Sequence, residues 1–327
     1  MADRFRVLAT TPLHPDAEAL LRAECDYVIA ADTKPGTLKA EVAQADALIV
    51  RTKLPDDIFD GSIRLRVCIR HGVGLDFVPV EAATRAGIVV GNLISANTQA
   101  VIEHVVGCVI ILARDLHELA LDFSRNGWSA RNHPPGMELA GKTLGIVGCG
   151  RIGSGVAKAL HQAFGMRVLG YNRTPLAPQS IIEQMPLDDV FARADIVSLN
   201  IASTPETCGI VNARRLGLMK PGAFLVNAAR GDLIDDYALI DALNARQIGG
   251  AALDVFEPEP LADNHPFRTT PRLFLTPHTA GGTEESSRRM SMEAAEDTLR
   301  VLRGEQPSHL VNPEIWNDYL DRMLSRQ

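Results

Sequence analysis

Three ionisable side chains stand at the ends of successive apolar, strand-like runs in the second half of the chain. Arg230 follows the run 223–229, Glu259 follows the run 250–256, and His278 ends the next run. In an open parallel sheet the carboxyl ends of the strands share one edge, so these side chains are expected to converge on one crevice. Together they supply a cation that can grip a carboxylate, a base, and an acid that can orient and charge that base.

Each of these residues also has a simpler interpretation when it is taken singly. A lone histidine is more often a hydrogen-bonded structural residue than a base, and Glu259 lies between Pro258 and Pro260, where it would merely be solvated. The expected convergence on one edge, together with Asp254 in the middle of the group, favours a catalytic interpretation over the structural one.

A glycine-rich turn precedes this group in the sequence. Gly148, Gly150 and Gly153 form G-x-G-x-x-G directly after an apolar run and at the start of a helix-length segment. Glycine lets such a turn close tightly and lets the backbone approach a pyrophosphate, whose charge is stabilised at the helix N-terminus. The strand before it and the helix after it favour dinucleotide binding over a purely structural turn.

The second strand of this unit ends on Asn172, where a carboxylate that binds the adenosine ribose normally stands. Without that negative charge, Arg173 and Thr174 offer a guanidinium and a hydroxyl to a 2'-phosphate. Alternatively, Asn172 hydrogen-bonds the ribose hydroxyls of NAD while Arg173 stacks on adenine or faces solvent. The sequence therefore predicts NADP or NAD as the cofactor, with NADP favoured.

These groups need a scaffold of parallel strands, and short β-branched runs do alternate with helix-length segments along the whole chain. In the first part, the predicted strands are 6–10, 47–50, 67–70 and 88–92, and the predicted helices include 16–23 and 38–45. From residue 143 onward, the predicted strands are 143–148, 167–172, 196–201, 223–229, 250–256 and 273–278. The second series matches a doubly wound dinucleotide-binding sheet.

Two helices are expected to connect the two series of strands. One long helix over 98–123 would lead into the second series, and a helix that begins at its N-cap Thr283 and stops near Gly304 would lead back. The predicted fold is α/β with two domains: a Rossmann-type doubly wound parallel sheet, residues 98–285, inserted into a smaller flavodoxin-like substrate domain, residues 1–97 and 286–327.

The composition of the chain narrows the kinds of molecule that the protein is expected to bind. The chain has 327 residues, of which 46% are hydrophobic, and a formal net charge of −7, whereas nucleic acids and anionic membranes select basic faces. Its five cysteines are scattered and form no C-x-x-C pair, so we expect neither disulfides nor zinc, and a cytoplasmic location. The most apolar segment, 101–113, is too short and too polar for a membrane span.

Several motifs resemble one family along the whole chain. They are "HGVGLDFVPVEAATRAGI", "GIVGCGRIG", "VNAARG", "ALDVFEPEPL" and "LTPHTAGGT", in this order. Together they are similar to the D-2-hydroxyacid dehydrogenases, especially the branch of phosphoglycerate dehydrogenases and glyoxylate/hydroxypyruvate reductases. The resemblance implies an NAD(P)-dependent oxidoreductase that transfers a hydride between nicotinamide and a small D-2-hydroxy or 2-oxo acid, without a metal.

The resemblance also implies roles for the candidate residues. Arg230 would bind the substrate carboxylate and carbonyl oxygen, His278 would act as acid/base, and Glu259 would keep the imidazole protonated for reduction. The implied substrate-binding residues are Arg51, Val73, Gly74, Asn97, Arg230 and His278, with backbone amides acting at Val73 and Gly74. The implied cofactor-binding residues are Gly148, Gly150, Arg151, Ile152, Gly153, Asn172, Arg173, Thr174, Thr204, Pro205, Thr207, Ala228, Asp254, His278 and Gly281, with Asp254 on the nicotinamide carboxamide.

Two positions depart from the family pattern. Asn172 replaces the usual acid, and "NIAST", residues 200–204, lacks the histidine and proline often found at that strand end. Both departures concern the cofactor contacts and leave the predicted catalytic triad intact.

The substrate is predicted only as a class. Arg51 and Arg70 follow strands of the first series and would suit a second anionic group, as in 3-phosphohydroxypyruvate, but arginines that brace the domain are equally consistent. Hydroxypyruvate and glyoxylate therefore stay open. The family suggests a homodimer.

Two other functions fit the same fold. One is a dinucleotide-sensing corepressor-like binding protein, and the other is a relative of formate or phosphite dehydrogenases. The filled catalytic roles disfavour the first, and the "HGVGLD" loop disfavours the second. A corepressor-like protein is also expected to carry a flexible tail, and we expect none after Gly304.

Overall fold

The computed structural model describes residues 4–62 and 64–324, which divide into two units. Unit 1 comprises the chain up to Asn97 and again from Gly282, and unit 2 comprises residues 98–281. The sequence placed the second division at 285/286. The structure assigns the whole helix that follows, with its N-cap Thr283, to unit 1.

The first part of unit 1 alternates strands and helices. Its elements are β1 (Arg6–Ala9), α1 (Pro15–Glu24), β2 (Asp26–Ile29), α2 (Pro35–Val42), β3 (Ala47–Val50), β4 (Val67–Arg70), α3 (Val80–Arg85) and β5 (Val89–Asn92). The strands pair in parallel in the order β2-β1-β3-β4-β5, which is the flavodoxin-like order. The sequence missed β2, because this edge strand is short and begins with the exposed Asp26.

The predicted helix over 98–123 is two helices. In the structure, α4 (Thr98–Arg114) ends before Asp115, whose φ of 50° is left-handed and interrupts the helix, and α5 (Leu116–Asn126) starts after it. The Asp115 carboxylate is fixed by His133, with Oδ2 and Nε2 2.7 Å apart. The turn therefore has a side-chain partner that the helical periodicity of the sequence did not reveal.

Unit 2 continues with seven parallel strands. Its further elements are β6 (Thr143–Val147), α6 (Arg151–Phe164), β7 (Arg167–Tyr171), β8 (Ile182–Gln184), α7 (Leu187–Arg193), β9 (Ile196–Leu199), α8 (Ala213–Leu218), β10 (Phe224–Asn227), α9 (Asp236–Asn244), β11 (Gly250–Leu253) and β12 (Leu273–Leu275). The order is β12-β11-β10-β9-β6-β7-β8, so the direction of winding reverses between β6 and β9. This is the Rossmann-type order, and the predicted fold class is confirmed.

The prediction for this sheet was incomplete in two ways. The strand β8 was missed, since it has only three residues and two of them are exposed. Each of the six predicted runs also extends past its strand; the run 273–278, for example, contains only Leu273–Leu275 as strand. The residues beyond the strands form the turns that carry the polar side chains described below.

The apolar segment 101–113 lies in the core of unit 2. Val101, Val105 and Val109 of α4 pack in one cluster with Ile146 of β6 and Leu160 of α6. Burial on this scale is the main stabilising contribution to such a layer, at roughly 25 cal/mol per Å² of apolar surface removed from water. The cluster fixes α4 against the strands whose carboxyl ends carry the candidate site.

The chain returns to unit 1 through α10 (Glu284–Leu302) and ends its described part in α11 (Trp316–Leu324). The hydroxyl of Thr283 accepts a hydrogen bond from the Ser286 N–H (3.1 Å), as expected of an N-cap.

Within residues 4–62 and 64–324, no helix combines the length and apolar character that crossing a membrane would require. The same residues contain no group of three or more His, Cys, Asp or Glu side chains placed to hold a metal ion. All five cysteines are free thiols; Cys208 is exposed and the other four are buried.

Candidate active site

The glycine turn lies where the winding of the unit 2 sheet reverses, between the ends of β6 and β9. Gly148 has a φ of 95°, and a Cβ there would lie 2.5 Å from the carbonyl oxygen of Asn200. A Cβ on Gly153 would lie 2.1 Å from the carbonyl oxygen of Gly148. Both positions therefore require glycine, one for its backbone conformation and one for close packing of the helix on the turn.

The N-terminus of α6 fits an anionic ligand. Gly150 is its N-cap and makes no side-chain capping bond, and a Cβ built on Gly150 would meet nothing within 4 Å. The first N–H groups of this 14-residue helix, which begins with Arg151 and Ile152, therefore have no side chain of the cap to accept their hydrogen bonds. A pyrophosphate suits this place by charge and by space.

The turn after β7 is tied to the glycine turn by Asn172. Its Oδ1 accepts from the Cys149 N–H (3.2 Å), and its Nδ2 donates to the Thr174 Oγ1 (2.9 Å). The predicted ribose-binding position thus also has a structural role, because its amide joins the glycine turn to the segment that presents Arg173. Arg173 is exposed.

The turn after β9 carries Thr204, Pro205 and Thr207. Thr207 Oγ1 accepts from the Thr204 N–H (2.8 Å) and donates to the Ala202 carbonyl (2.8 Å), so the turn holds itself in shape. A hydrogen bond from Thr204 lowers the pKa of Glu206 below its usual value, and the charge of Arg173 acts in the same direction. The turns after β7 and β9 therefore lie close enough for their charges to interact.

Arg230 follows β10 in an ordered turn. The buried Asn227 donates from Nδ2 to the Arg230 carbonyl (2.7 Å) and accepts at Oδ1 from the Ala229 N–H (3.0 Å), so one amide fixes the backbone from Ala229 to Arg230. The Arg230 guanidinium donates to the Ala229 carbonyl (2.6 Å) and is half-buried. Its planar, permanently charged fork is thereby held near the strand end.

His278 and Glu259 form a direct pair. His278 Nδ1 lies 2.6 Å from Glu259 Oε2, and Glu259 Oε1 accepts from the Phe256 N–H (3.0 Å). Burial alone raises the pKa of Glu259, but the hydrogen bonds from His278 and Phe256 and the charges of His278 and Arg230 outweigh it, so this pKa lies below its ordinary value. The carboxylate thus stays charged, orients the ring, and leaves Nε2 as the nitrogen that can exchange a proton.

The influence of Arg230 on Glu259 also brings the third predicted residue into this group. The structure therefore pairs His278 with Glu259 and exposes Glu259 to the charge of Arg230. The three residues lie on three different loops, one after each of β10, β11 and β12.

Asp254 organises the loop that carries His278. Its Oδ1 accepts from Thr276 Oγ1 (2.6 Å) and the Thr279 N–H (2.9 Å), and its Oδ2 accepts from the Ala280 N–H (2.8 Å). Its carbonyl accepts from the His278 N–H (2.7 Å). These four bonds hold His278 at a left-handed φ of 54°, a conformation that is uncommon for residues other than glycine.

The loop around Asp254 ends at Gly281, the last residue of unit 2. The expected contact of Asp254 with a nicotinamide carboxamide would use the lone pair that remains on its Oδ2. The Asp254 carboxylate thus already uses most of its lone pairs in hydrogen bonds to the loop that carries His278.

In unit 1, the loop after β4 presents backbone amides. The Val73 carbonyl accepts from Asn92 Nδ2 (2.6 Å), and the Gly74 carbonyl accepts from Arg70 Nε (3.1 Å). Within the described part of the chain, the N–H groups of Val73 and Gly74 donate to no other backbone group. Fixed carbonyls together with N–H groups that have no backbone acceptor are chemically suited to an oxygen anion.

The two candidate arginines of unit 1, Arg51 and Arg70, donate to backbone carbonyls. Arg70 also donates to the carbonyls of Val50 (3.1 Å) and His71 (2.7 Å) and stacks on the Phe77 ring at 4.3 Å. Arg51 donates to the Pro12 carbonyl. Both therefore have bracing roles, which is the alternative that the sequence left open.

Asn97 and His71 lie in unit 1. Asn97 has a buried Oδ1 with no hydrogen-bond partner in the described residues. The His71 ring contacts Ser291 Oγ of α10 (Nε2 to Oγ 3.0 Å).

The sequence missed several residues that hold the candidate ones in place, namely Asn92, Gln184, Asn227, Thr276 and Ser291. All act through hydrogen bonds to loop backbone or to another polar side chain. A signal existed for Asn227, because an amide inside an otherwise apolar strand run must find buried partners. No comparable signal marks Gln184 or Ser291.

Comparison with known proteins places the chain in a family. Residues 106–280 match the family model described as "D-isomer specific 2-hydroxyacid dehydrogenase, NAD binding domain". The chain is 38% identical to a D-3-phosphoglycerate dehydrogenase of Methanocaldococcus jannaschii over 97% of this chain, but it spans only 62% of that protein's length. It is also 38% identical to a glyoxylate reductase of Aeropyrum pernix, over 95% of this chain and 97% of that one.

A solved structure agrees with these matches. The NADPH-dependent glyoxylate/hydroxypyruvate reductase of Sinorhizobium meliloti, in complex with NADP and malonate, superposes with a TM-score of 0.86 at 28% identity, covering 95% of this chain and 98% of that one. With the matched family model, the ordered motifs and the Rossmann-type sheet, the chain belongs to the D-2-hydroxyacid dehydrogenase family.

Proposed function

We propose that the protein is an NAD(P)-dependent reductase or dehydrogenase that interconverts a small 2-oxo acid and its D-2-hydroxy acid. The observation that carries this proposal is the His278–Glu259 pair, with 2.6 Å between Nδ1 and Oε2, in the electrostatic reach of Arg230. An imidazole oriented by a charged carboxylate and set beside a guanidinium can move a proton to or from the oxygen of an anionic substrate.

The proposed roles follow from the atoms that each residue offers. Arg230 binds the substrate carboxylate and the oxygen at the reacting carbon through its guanidinium. His278 donates a proton from Nε2 to that oxygen during reduction and takes it back during oxidation, while Glu259 stabilises the charged ring. The N–H groups of Val73 and Gly74 bind the other carboxylate oxygen, and Asn97 contributes its unpartnered amide oxygen.

The cofactor is held by the ends of the unit 2 strands. The turn 148–153 with Arg151 and Ile152 accepts the pyrophosphate, the turn 204–207 and Ala228 flank it, and Asp254 and Gly281 lie on the nicotinamide side. When bound, nicotinamide supplies the hydride and so removes the need for a metal in the transfer. The chain's own part is to orient the substrate and to provide one proton and charge stabilisation.

NADP is the favoured cofactor. The absence of an acid at Asn172 and the exposed Arg173 beside Thr174 support binding of a 2'-phosphate. The reductase of Sinorhizobium meliloti, whose structure contains NADP, is one of the relatives with the same fold.

The substrate proposed is of the glyoxylate or hydroxypyruvate type, with 3-phosphohydroxypyruvate as a further candidate. The named relatives are D-3-phosphoglycerate dehydrogenase and glyoxylate reductase. The hydrogen bonds of Arg70 and Arg51 to backbone carbonyls favour the singly charged acids, because these guanidiniums are partly committed to the protein.

We further propose that the protein forms a homodimer in the cytoplasm. Support for assembly comes from the apolar face of α5, where Leu116 and Phe123 are exposed to 42% and 55%, and from the neighbouring Trp128, exposed to 75%. Five free thiols support a reducing compartment. Light scattering at several protein concentrations tests the dimer directly.

A spectrophotometric panel tests the activity. NADPH and NADH are each mixed with the protein and with glyoxylate, hydroxypyruvate, 3-phosphohydroxypyruvate or pyruvate, and oxidation is followed at about 340 nm. Consumption of NADPH with glyoxylate or hydroxypyruvate is the expected result. Consumption of neither cofactor with any of these acids would overturn the proposal.

A further inference from the structure

The segment 172–176 after β7 presents Arg173 and Thr174, and one side chain from the neighbouring strand holds it. We infer that Gln184, at the end of β8, is a positioning residue that sets the preference between NADP and NAD by fixing this segment. The inference rests on the proposed dinucleotide-binding function.

Gln184 makes three hydrogen bonds to the backbone of the segment. Its Nε2 donates to the carbonyl oxygens of Asn172 (2.9 Å) and Thr174 (3.2 Å), and its Oε1 accepts from the Leu176 N–H (2.9 Å). The two carbonyls lie on either side of Arg173. One amide group therefore fixes the path of the backbone immediately before and after this arginine.

Gln184 is itself held in a fixed position because it belongs to the sheet. Gln184 pairs with Gly170 of β7, and the next residue, Met185, donates its N–H to the Gly170 carbonyl (2.9 Å). The two strands approach so closely that a Cβ on Gly170 would lie 2.4 Å from Ile182 Cγ2. The segment is thus held by the edge strand next to the strand from which it emerges.

These hydrogen bonds to the backbone leave the side chains of Arg173 and Thr174 accessible to a ligand. Thr174 Oγ1 accepts from Asn172 Nδ2 (2.9 Å), so the hydroxyl keeps its own proton for donation to a ligand. Arg173 is exposed, and a guanidinium on an unordered loop gives little net binding because its ordering costs entropy. On a fixed backbone, Arg173 and Thr174 can bind a phosphate at a much smaller ordering cost.

Glutamine meets the requirement of this position because it combines a donor and an acceptor at one end of a long side chain. Gln184→Met keeps the length of the side chain and removes all three bonds. Because Gln184 is exposed, this change is expected to leave the fold of unit 2 intact, which a thermal melt verifies.

Calorimetry with two fragments of the cofactor isolates the proposed effect. The compounds 2',5'-ADP and 5'-AMP differ only by the 2'-phosphate, so the ratio of their Kd values measures recognition of that group. In the natural protein 2',5'-ADP is expected to bind more tightly; in Gln184→Met this preference falls about tenfold, while the Kd of 5'-AMP changes less than about twofold. The control variant Gln179→Ala, exposed in the same connection, is expected to keep the natural ratio.

A second comparison tests whether Gln184 acts through Arg173. Arg173→Ala alone should remove most of the preference, and adding Gln184→Met to it should change the ratio no further. An equal further loss in the double variant would overturn the inference, as would an unchanged ratio in Gln184→Met or a parallel loss for both compounds.

The outcome for the natural protein separates the inference from the function on which it rests. Binding of both compounds with equal Kd would overturn the inference alone and leave dinucleotide binding standing. Binding of neither compound would overturn the proposed function and the inference with it.

Discussion

The carboxyl edges of the two parallel sheets use similar residues in opposite ways. In unit 2, Glu259 pairs with His278 through Nδ1, the charge of Arg230 acts on Glu259, and the pairing leaves Nε2 of His278 outside this hydrogen bond. In unit 1, Arg70 donates to three carbonyls and His71 contacts Ser291. One edge presents the candidate catalytic side chains on a backbone held by hydrogen bonds, whereas the other uses its side chains to hold its own backbone in place.

Residue type and strand-end position therefore do not by themselves assign chemistry. An arginine at a strand end grips a ligand in the proposal for Arg230, but in the structure Arg70 holds its own loop. What separates the two is the neighbourhood of each guanidinium, since Arg230 acts on the Glu259–His278 pair and Arg70 faces backbone carbonyls. Substitutions should therefore affect rate at one edge and stability at the other.

The largest effect is expected for His278→Asn. Losing the proton donor should lower kcat by about 10²- to 10⁴-fold without lowering the free energy of unfolding by more than about 1 kcal/mol. Steady-state kinetics and urea denaturation measure both quantities. His117→Asn, at an exposed histidine of the same unit, serves as the control. A stability loss that accounts for the lost rate would remove the contrast between the edges.

A smaller loss is expected for Arg230→Lys. Lysine keeps the charge but lacks the planar fork, so kcat/KM should fall on the order of 100-fold, while the Kd of NADPH stays within about twofold. Stopped-flow binding and initial rates separate the two parameters. An unchanged kcat/KM would contradict the proposed carboxylate clamp.

Arg70→Met tests the role of arginine at the carboxyl edge of the unit 1 sheet. The methionine keeps an apolar stem on Phe77 but loses the bonds to the carbonyls, so the free energy of unfolding should fall by about 2 kcal/mol. Arg85→Met, on the exposed end of α3, is the matched control. If stability is unchanged and the variant only loses apparent affinity for a phosphorylated 2-oxo acid in steady-state kinetics, Arg70 binds substrate and the two edges are alike.

The effect expected at His71 is negligible at neutral pH and appears only as the pH falls. Burial, and then the charges of Arg51 and Arg70, lower the pKa of His71 to about 3 from an ordinary 6.5. Below pH 6.5 the unfolded chain binds a proton at His71, whereas the folded protein does not until the pH approaches 3. The contribution of the neutral His71 to the free energy of unfolding is therefore complete above pH 6.5 and is lost as the pH falls towards 3.

His71→Gln removes that titration from the folding equilibrium. From about pH 7.5 to about pH 5.0 the natural protein should lose about 2 kcal/mol more stability than the variant, because each pH unit below about 6.5 costs about 1.4 kcal/mol. Urea denaturation at the two pH values provides the comparison. Parallel losses in both proteins would show that His71 is protonated in the folded state.

Sequence patterns predicted the sheet, and they placed the candidate residues at its edge, because both depend on local order. Parallel strands need apolar runs, and the glycine turn, Arg230, Glu259 and His278 follow those runs at the points where a sheet edge must lie. The structure pairs Glu259 with His278, and the charge of Arg230 acts on that carboxylate.

The remaining features depend on contacts between segments that are distant in the sequence. The break at Asp115 is held by His133, the loop of His278 is held by Asp254, and the segment of Arg173 is held by Gln184. The strand β8 was missed because three residues with two exposed side chains carry no periodic signal. Hydrogen bonds to loop backbone leave no such pattern, and only the folded chain reveals them.

The distribution of thiols has a practical consequence for labelling experiments. Burial raises the pKa of Cys149 to about 11, so the thiol in the glycine turn is a poor nucleophile, and Cys25, Cys68 and Cys108 are buried as well. Cys208 is exposed, and its N–H donates to the Thr204 carbonyl (2.9 Å) in the proposed cofactor turn. A maleimide dye added to the natural protein should therefore attach at Cys208 and act as an optical reporter of that turn.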